Sequence, residues 1–148
     1  MSLSVLYRLL DNKSLHLAYL KKLKNYANSD SINSNFLIEC LMQLKNFHMK
    51  NDKNKAIKYY NQALKYAFNY KNLMFIVRIY KDIISDFNKN LIDMTELEKY
   101  LLFLFKHKEI IFGNSYLKNE LNNIFLELVL KSFLNNSCIN IIKRLKEI

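Results

Sequence analysis

The stretch NKAIKYYNQALKYAFNYKN, residues 54–72, decides the fold because its apolar side chains recur at the spacing of one helical face. Counting from Ala56, apolar residues follow at positions i+4, i+7, i+8 and i+11, which lie on the same side of an α-helix. These residues are Tyr60, Ala63, Leu64 and Ala67. The stretch therefore predicts an amphipathic helix whose alanine-rich face packs against a neighbouring helix.

Three further tyrosines and three lysines indicate which other sides of this helix are packed and which are exposed to solvent. On a helical wheel the tyrosines border the alanine stripe, and the lysines fall on the opposite arc. The tyrosines are Tyr59, Tyr66 and Tyr70, and the lysines are Lys55, Lys58 and Lys65. Because so wide an apolar arc is typical of a helix with two neighbours, we expect the tyrosines to be packed and the lysines to be solvated. The opposing interpretation is a basic, aromatic surface for nucleic acid.

Composition indicates an all-helical protein. The chain has 148 residues, of which 51% are hydrophobic, enough for one domain with a sizeable core. It contains one glycine and no proline, whereas sheets and hairpin turns usually depend on these residues. We therefore expect a single repeat domain of the all-α class over residues 1–148.

The apolar face of residues 56–67 recurs along the chain at a spacing of 41 residues. The equivalents downstream are Leu97, Leu101, Leu104 and Phe105, then Cys138, Ile142 and Leu145, and upstream they are Leu15, Tyr19, Leu23 and Tyr26. The intervening helices repeat as well, through Phe36, Cys40, Leu44 and Phe47, then Ile76, Tyr80, Ile83, Ile84 and Phe87, then Leu117, Leu121, Ile124, Phe125 and Leu128. A fixed period that alternates two helix types predicts stacked antiparallel helical hairpins that form a short solenoid.

Polar breaks divide the chain into about eight helices. The predicted helices cover residues 2–11, 15–28, 33–50, 54–71, 73–88, 95–112, 115–135 and 137–147. Thr95 and Glu98 have the spacing of a capping box, and Gly113 is placed to end a helix in a left-handed turn. Ser115 is then positioned to cap the next helix.

Net charge does not by itself identify a partner. The formal charge is +10, from 23 basic against 13 acidic side chains, and such an excess attracts nucleic acid, anionic lipid or acidic proteins. However, only Arg8, Arg78 and Arg144 are arginine, and Lys, Asn, Ile, Tyr and Phe all have A/T-rich codons. An A/T-rich genome accounts for this composition without selection for a basic patch.

The sequence NKAIKYYNQALKYA resembles the second helix of a tetratricopeptide-type repeat. In that family an alanine opens the helix, an aromatic residue follows four positions later, and a second alanine follows three after that. Ala56, Tyr60 and Ala63 occupy these positions. The preceding helix has the family's aromatic residue as Phe47, but Leu44 stands where a small residue is usual, and the closing proline is missing. The period near 40 resembles the longer repeats of bacterial peptide-sensing regulators, whose helix-turn-helix domain is not evident here.

The resemblance implies that the first helix of each hairpin lines a concave groove for a peptide or protein segment. On helix 33–50 the residues off the packing stripe are Leu41, Lys45, His48 and Met49, and the equivalents on helix 73–88 are Arg78 and Lys81. These six are the predicted partner-binding residues. A basic groove favours acidic segments or a peptide C-terminus.

Helix 115–135 is apolar on more than one side, which predicts self-association. Leu126, Leu130, Phe133 and Leu134 lie off the face formed by Leu121, Ile124 and Leu128. The end of a solenoid without a polar outer face usually pairs with another surface. We expect a homodimer through the C-terminal helices, and the alternative is a compact bundle that buries this surface itself.

Motifs for catalysis or cofactor binding are not found in the sequence. His16, His48 and His107 are scattered, and Cys40 and Cys138 fit the role of small buried hydrophobic residues. No C-x-x-C, H-E-x-x-H or glycine-rich phosphate loop occurs, so we expect no metal, no cofactor and no enzymatic activity. No apolar run is long enough to cross a membrane and no cleavable signal is evident, so we expect no membrane partner and a cytoplasmic location.

The sequence thus predicts a non-enzymatic helical-repeat module that binds a protein or peptide partner in a regulatory or adaptor role. The first alternative is a basic α-helical protein that binds nucleic acid through a set of lysines. These are Lys21, Lys22, Lys24, Lys50, Lys53, Lys55 and Lys58. The second alternative is a small helical inhibitor of the toxin-antitoxin or immunity type, which acts by covering one partner.

Overall fold

The computed structural model describes residues 13–29, 34–131 and 134–147, and the regular structure in these ranges is α-helical. Eight helices follow one another within these ranges: α1 (Lys13–Ser29), α2 (Ser34–His48), α3 (Lys53–Asn69), α4 (Leu73–Asn88), α5 (Met94–Lys106), α6 (Lys108–Phe112), α7 (Ser115–Lys131) and α8 (Asn136–Lys146). No strand occurs in the described ranges. The all-α class predicted from the scarcity of glycine and proline is confirmed.

The predicted helix 95–112 is divided at His107 into α5 and α6. The Nδ1 atom of His107 lies 2.8 Å from the carbonyl oxygen of Phe103. In a continuous α-helix that oxygen would accept the backbone N–H of His107. The backbone N–H of His107 donates instead to Leu104, three residues back, and the helix is interrupted. The other predicted helices agree with the structure to within about four residues, except that the predicted helix 2–11 lies outside the described residues.

Two helices begin at caps other than the predicted ones. Asp93 rather than Thr95 caps α5, and Asn114 rather than Ser115 caps α7. In both cases the side-chain oxygen accepts a hydrogen bond at 2.9 Å from the backbone N–H three residues further on. Asp and Asn are at least as good as Ser and Thr at this position, so the choice depends on where the preceding turn ends.

The prediction of a left-handed turn at Gly113 is wrong. Its φ and ψ angles are −69° and −4°, which any residue adopts. The left-handed residues in the described ranges are Lys71 and Asn90, with φ angles of 50° and 57°, directly after α3 and α4. At the first of these ends the N–H of Asn72 donates to Ala67 at 2.8 Å, the hydrogen bond of a Schellman motif.

The chain divides into two compact units, residues 1–72 and 73–148. In the first unit α1 packs on α2, and α2 packs on α3. The predicted stripe of α3 is buried as expected, since Ala56, Tyr60, Ala63 and Ala67 each have 0% exposure. The single repeat domain expected over residues 1–148 is not tested by this division and stays a prediction.

The outer arc of α3 differs in part from the prediction. Its lysines are exposed as expected, but Tyr59 and Tyr66 are only half-buried and Tyr70 is 56% exposed. Tyr66 and Tyr70 stack with ring centroids 6.2 Å apart. The expectation that all tyrosines of this stretch are packed is therefore wrong for Tyr70, because α3 has its neighbour α2 on one side and leaves this border of the stripe uncovered.

The predicted stripe of α1 is shifted, whereas on α2 the predicted Cys40 and Leu44 are buried. Leu15 is 49% exposed, whereas the next residue, His16, and Leu20 are buried. Phe36, at the start of α2, is 37% exposed. One residue turns a helical face by about 100°, so the 41-residue offset that aligns α3 with later helices does not align α1.

In the second unit α4 packs on α7 and α5 packs on α8, so each of these helices contacts the helix one predicted period further along the chain. The predicted stripes are buried at Leu97, Leu101, Leu104, Leu117, Leu121, Ile124, Phe125, Leu128, Cys138, Ile142 and Leu145. Between α4 and α5 the phenol of Tyr80 is buried and donates to the carbonyl oxygen of Tyr100 at 2.8 Å.

The two cysteines are free and buried, as the sequence predicts. Burial raises the pKa of the Cys40 thiol to about 11, with the carboxylate of Glu39 adding to the effect. Burial and Glu98 raise the pKa of Cys138 to about 11 in the same way. Both thiols are therefore protonated at neutral pH and act as small apolar side chains.

Candidate functional site

The four partner-binding residues predicted on helix 33–50 lie in the core of the first unit. Leu41, Lys45, His48 and Met49 have exposures of 0%, 2%, 8% and 7%. They are buried because α2 contacts both α1 and α3, so that more than one of its faces is covered. The open groove expected at these residues is therefore not present, and their role in partner binding stays a prediction.

The buried Lys45 and His48 are accommodated by aromatic rings. The Nζ atom of Lys45 lies 4.4 Å from the ring centroid of Tyr60, a cation–π contact. The imidazole of His48 stacks on Tyr59 with centroids 5.7 Å apart, and its Nε2 atom is buried without a hydrogen-bond partner. Burial lowers the pKa of His48, and the positive charge of Lys55 lowers it further, so the ring is neutral at neutral pH.

The two partner-binding residues predicted on helix 73–88 are exposed on α4. The guanidinium of Arg78 lies 5.7 Å from the ring centroid of Phe75. The ammonium of Lys81 forms an ion pair at 2.9 Å with the carboxylate of Glu120, which lies on α7. This hydrogen bond raises the pKa of Lys81. Lys81 borders an open groove.

The groove lies between α4 and α7 and has a volume of about 600 Å³. Its lining residues from α4 are Lys81, Ile84, Ser85, Asn88 and Lys89, and those from α7 are Glu120, Asn123, Ile124 and Glu127. Ile84 and Ile124 are each only 4% exposed and lie in the buried contact between the two helices. The α4/α7 groove thus has an apolar floor, a wall with two cations and a facing wall with two carboxylates.

The α4/α7 groove has polar as well as apolar lining residues. The hydroxyl group of Ser85 and the amide group of Asn123 can donate and accept hydrogen bonds. The carboxylates of Glu120 and Glu127 are separated by seven residues, roughly 10 Å along the helix. In the part of the chain that the structure describes, no group of three or more His, Cys, Asp or Glu side chains is arranged to hold a metal ion.

The α7 wall was not predicted from the sequence. Glu120 and Glu127 have the pattern of ordinary charges on a helix surface, and nothing in their spacing indicates a groove. The repeat period is the feature of the sequence that could have predicted this wall. Glu120 lies 39 residues after Lys81, and α4 packs on α7, the helix one period further along the chain.

Two of the four residues predicted for self-association are exposed. Leu126 is 49% exposed and Leu130 is 75% exposed, and the adjacent Val129 is 43% exposed. Leu134 is half-buried, and the predicted Phe133 lies outside the described residues. We refer to Leu126, Val129 and Leu130 as the α7 stripe, because positions i, i+3 and i+4 share one helical face.

Within the described residues, no helix is both long and apolar enough to span a membrane. The chain matches no protein-family model, no curated protein and no solved structure.

Proposed function

We propose that the chain is a non-enzymatic helical-repeat module that recognises a protein or peptide partner in a regulatory or adaptor role. The observation that carries the proposal is the α4/α7 groove, which is open, has an apolar floor and is lined by both charges. A polypeptide segment supplies each complementary group at once: apolar side chains for the floor, backbone amides for the polar walls, and charged side chains for the rims.

A tetratricopeptide-like stacking of helices belongs to the same proposal. Its support is that α4 contacts α7 and α5 contacts α8, each about 41 residues apart. Two side-chain contacts join residues that are 39 positions apart, close to one period. They are the contacts of Lys81 with Glu120 and of Ser137 with Glu98. Stacked repeats create elongated grooves along one layer of helices, which is where the candidate groove lies.

Blocking the α4/α7 groove is expected to abolish partner binding. Asn123→Arg puts a long cation into the groove from an exposed position, so the fold is retained, and we expect at least about tenfold less partner to be recovered. The measurement is a pull-down with tagged full-length protein from source-cell lysate, with and without nuclease, read by mass spectrometry.

The matched control is Asn119→Arg, which makes the same change on the same helix at an exposed residue outside the groove lining. It is expected to retain the partner. Equal recovery of the partner with both variants would mean that the partner binds elsewhere. Recovery that disappears with nuclease would mean that the partner is nucleic acid and not a protein.

Self-association through the α7 stripe is proposed as part of this function. Exposed aliphatic residues at i, i+3 and i+4 pair readily with the same stripe of a second copy. The double variant Leu126→Lys/Leu130→Lys is expected to be monomeric by light scattering, while the wild type has twice that mass. Leu102→Lys, at a 48% exposed position on α5, is the control and should remain dimeric. A monomeric wild type would exclude the pairing.

A further inference from the structure

The first unit has a larger net positive charge, and more of the tyrosines, than the second. Residues 1–72 contain 12 Lys and Arg against 4 Asp and Glu, an excess of eight, whereas residues 73–148 contain 11 against 9, an excess of two. The first unit also has seven of the ten tyrosines. The basic residues are divided almost equally between the units, so the difference in net charge comes from the acidic residues, 4 against 9.

Lysines from two helices lie near the half-buried Tyr59 and its neighbour His48. The Nζ atom of Lys24, on α1, lies 5.6 Å from the ring centroid of Tyr59, on α3. Lys21 on α1 and Lys55 on α3 are both close enough to the buried imidazole of His48 for their charges to lower its pKa. Cations from α1 and α3 therefore lie near His48 and the Tyr59 ring that stacks on it, and Lys55 is also paired with Asp52 at 2.7 Å.

The aromatic rings continue from this place along α3. Tyr59, Tyr66 and Tyr70 lie within about 40° of one another at 100° per residue, and they span roughly 16 Å of the helix. Tyr66 and Tyr70 are nearly parallel, at an interplanar angle of 9°, and Tyr70 is 56% exposed. We call the six residues Lys21, Lys24, Lys55, Tyr59, Tyr66 and Tyr70 the basic aromatic face.

We propose that the basic aromatic face binds single-stranded nucleic acid, with phosphates on the lysines and a base stacked on the exposed ring of Tyr70. Proteins that bind single strands combine a cationic track with aromatic side chains in this way. This activity lies in the first unit and does not depend on the α4/α7 groove of the second.

Other polyanions fit the basic aromatic face less well. The bases of a duplex are already stacked on one another, so the tyrosine rings gain no contact with them. An acidic peptide or a polysaccharide satisfies the lysines but has no planar group to cover the tyrosines. An anionic membrane is bound by a basic amphipathic helix with large aliphatic or aromatic residues, whereas the rings here lie beside the buried stripe of α3.

The test is fluorescence anisotropy of the full-length protein with labelled 20-nucleotide oligo(dT) and oligo(U) at 50 to 300 mM salt. We expect binding that weakens steeply with salt. Tyr70→Ala is expected to weaken it about 5- to 100-fold, while Tyr70→Phe, which keeps the ring, stays within about twofold. Lys21→Glu/Lys24→Glu is expected to weaken it at least about tenfold.

Lys65→Glu is the matched control for charge, because Lys65 is exposed on α3 about 120° away from Tyr59. It should change affinity by less than about threefold. Thermal unfolding of each variant verifies that the fold is kept.

Three results would overturn the proposal. One is the absence of oligonucleotide binding at 50 mM salt. Another is equal binding of a 20-base-pair duplex or heparin together with no effect of Tyr70→Ala, which would reduce the face to non-specific charge. The third is binding to phosphatidylserine vesicles without binding to oligonucleotides. None of these depends on the α4/α7 groove, so a failure here is distinct from a failure of Asn123→Arg to block a protein partner.

Discussion

Ala63→Asp is expected to unfold the first unit, the largest effect of any substitution considered for this protein. Ala63 has 0% exposure in the middle of α3, whose stripe packs on α2. An aspartate at this place is an unpaired charge among apolar side chains, and it is also larger than the alanine it replaces. Both changes destabilise a core, and together we expect a loss of more than about 4 kcal/mol.

Hydrogen exchange followed by mass spectrometry locates this effect. Peptides from residues 34–69 are expected to lose protection in Ala63→Asp, and the thermal unfolding midpoint should fall or become unmeasurable. Lys58→Glu on the same helix is the control, because Lys58 is exposed and its replacement should leave the midpoint nearly unaltered. An unchanged midpoint for Ala63→Asp would contradict the packing of α3 on α2, and a large loss for Lys58→Glu would mean that the helix is rotated.

The periodicity of the sequence predicts which face of a helix is buried, but not how many neighbours cover it. On α3 the stripe from Ala56 to Ala67 is buried as predicted, because α2 packs against that face. On α2 the same reasoning left Leu41 and Lys45 outside the stripe, yet both are buried because α2 has neighbours on two sides. The number of neighbours is a property of the tertiary arrangement, which a one-dimensional pattern does not contain.

The details of helix ends were less predictable than the helices themselves. The break at His107 depends on one side-chain nitrogen next to the Phe103 carbonyl, and a histidine at that spacing has no general helix-breaking tendency. The cap of α5 is Asp93 instead of the predicted Thr95, and both residue types are favourable at that position.

The candidate site was predictable only in part. Lys81 was identified from its position off the packing stripe, and it does border the α4/α7 groove. The facing carboxylate of Glu120 was not identified. A groove is formed by two helices, and its second wall can be predicted only when the opposite helix is known. Tyr70 was predicted to be packed but is exposed. It lies on the border of an apolar stripe, and that border is covered only where a third helix is present.

The second large effect is expected at Tyr80, the buried side chain that joins α4 to α5. Its ring is 1% exposed, and its hydroxyl donates to the Tyr100 carbonyl at 2.8 Å. Tyr80→Ala removes most of a large ring from the core of the second unit and leaves a cavity, so we expect a loss of about 3–5 kcal/mol in chemical denaturation. Peptides from residues 73–106 should lose hydrogen-exchange protection first.

Tyr80→Phe separates the ring from the hydroxyl. It keeps the packed volume and removes one hydrogen bond, for which we expect a loss of about 1 kcal/mol. The same variant tests the ionisation of the phenol. Burial raises the pKa of Tyr80 well above its usual value, so above about pH 10 the unfolded chain releases this proton while the folded chain retains it, and stability falls. Tyr80→Phe should therefore lose less stability than the wild type between neutral pH and pH 11. If Tyr80→Phe instead destabilises the protein as much as Tyr80→Ala, the hydrogen bond to Tyr100 rather than the packed ring joins α4 to α5.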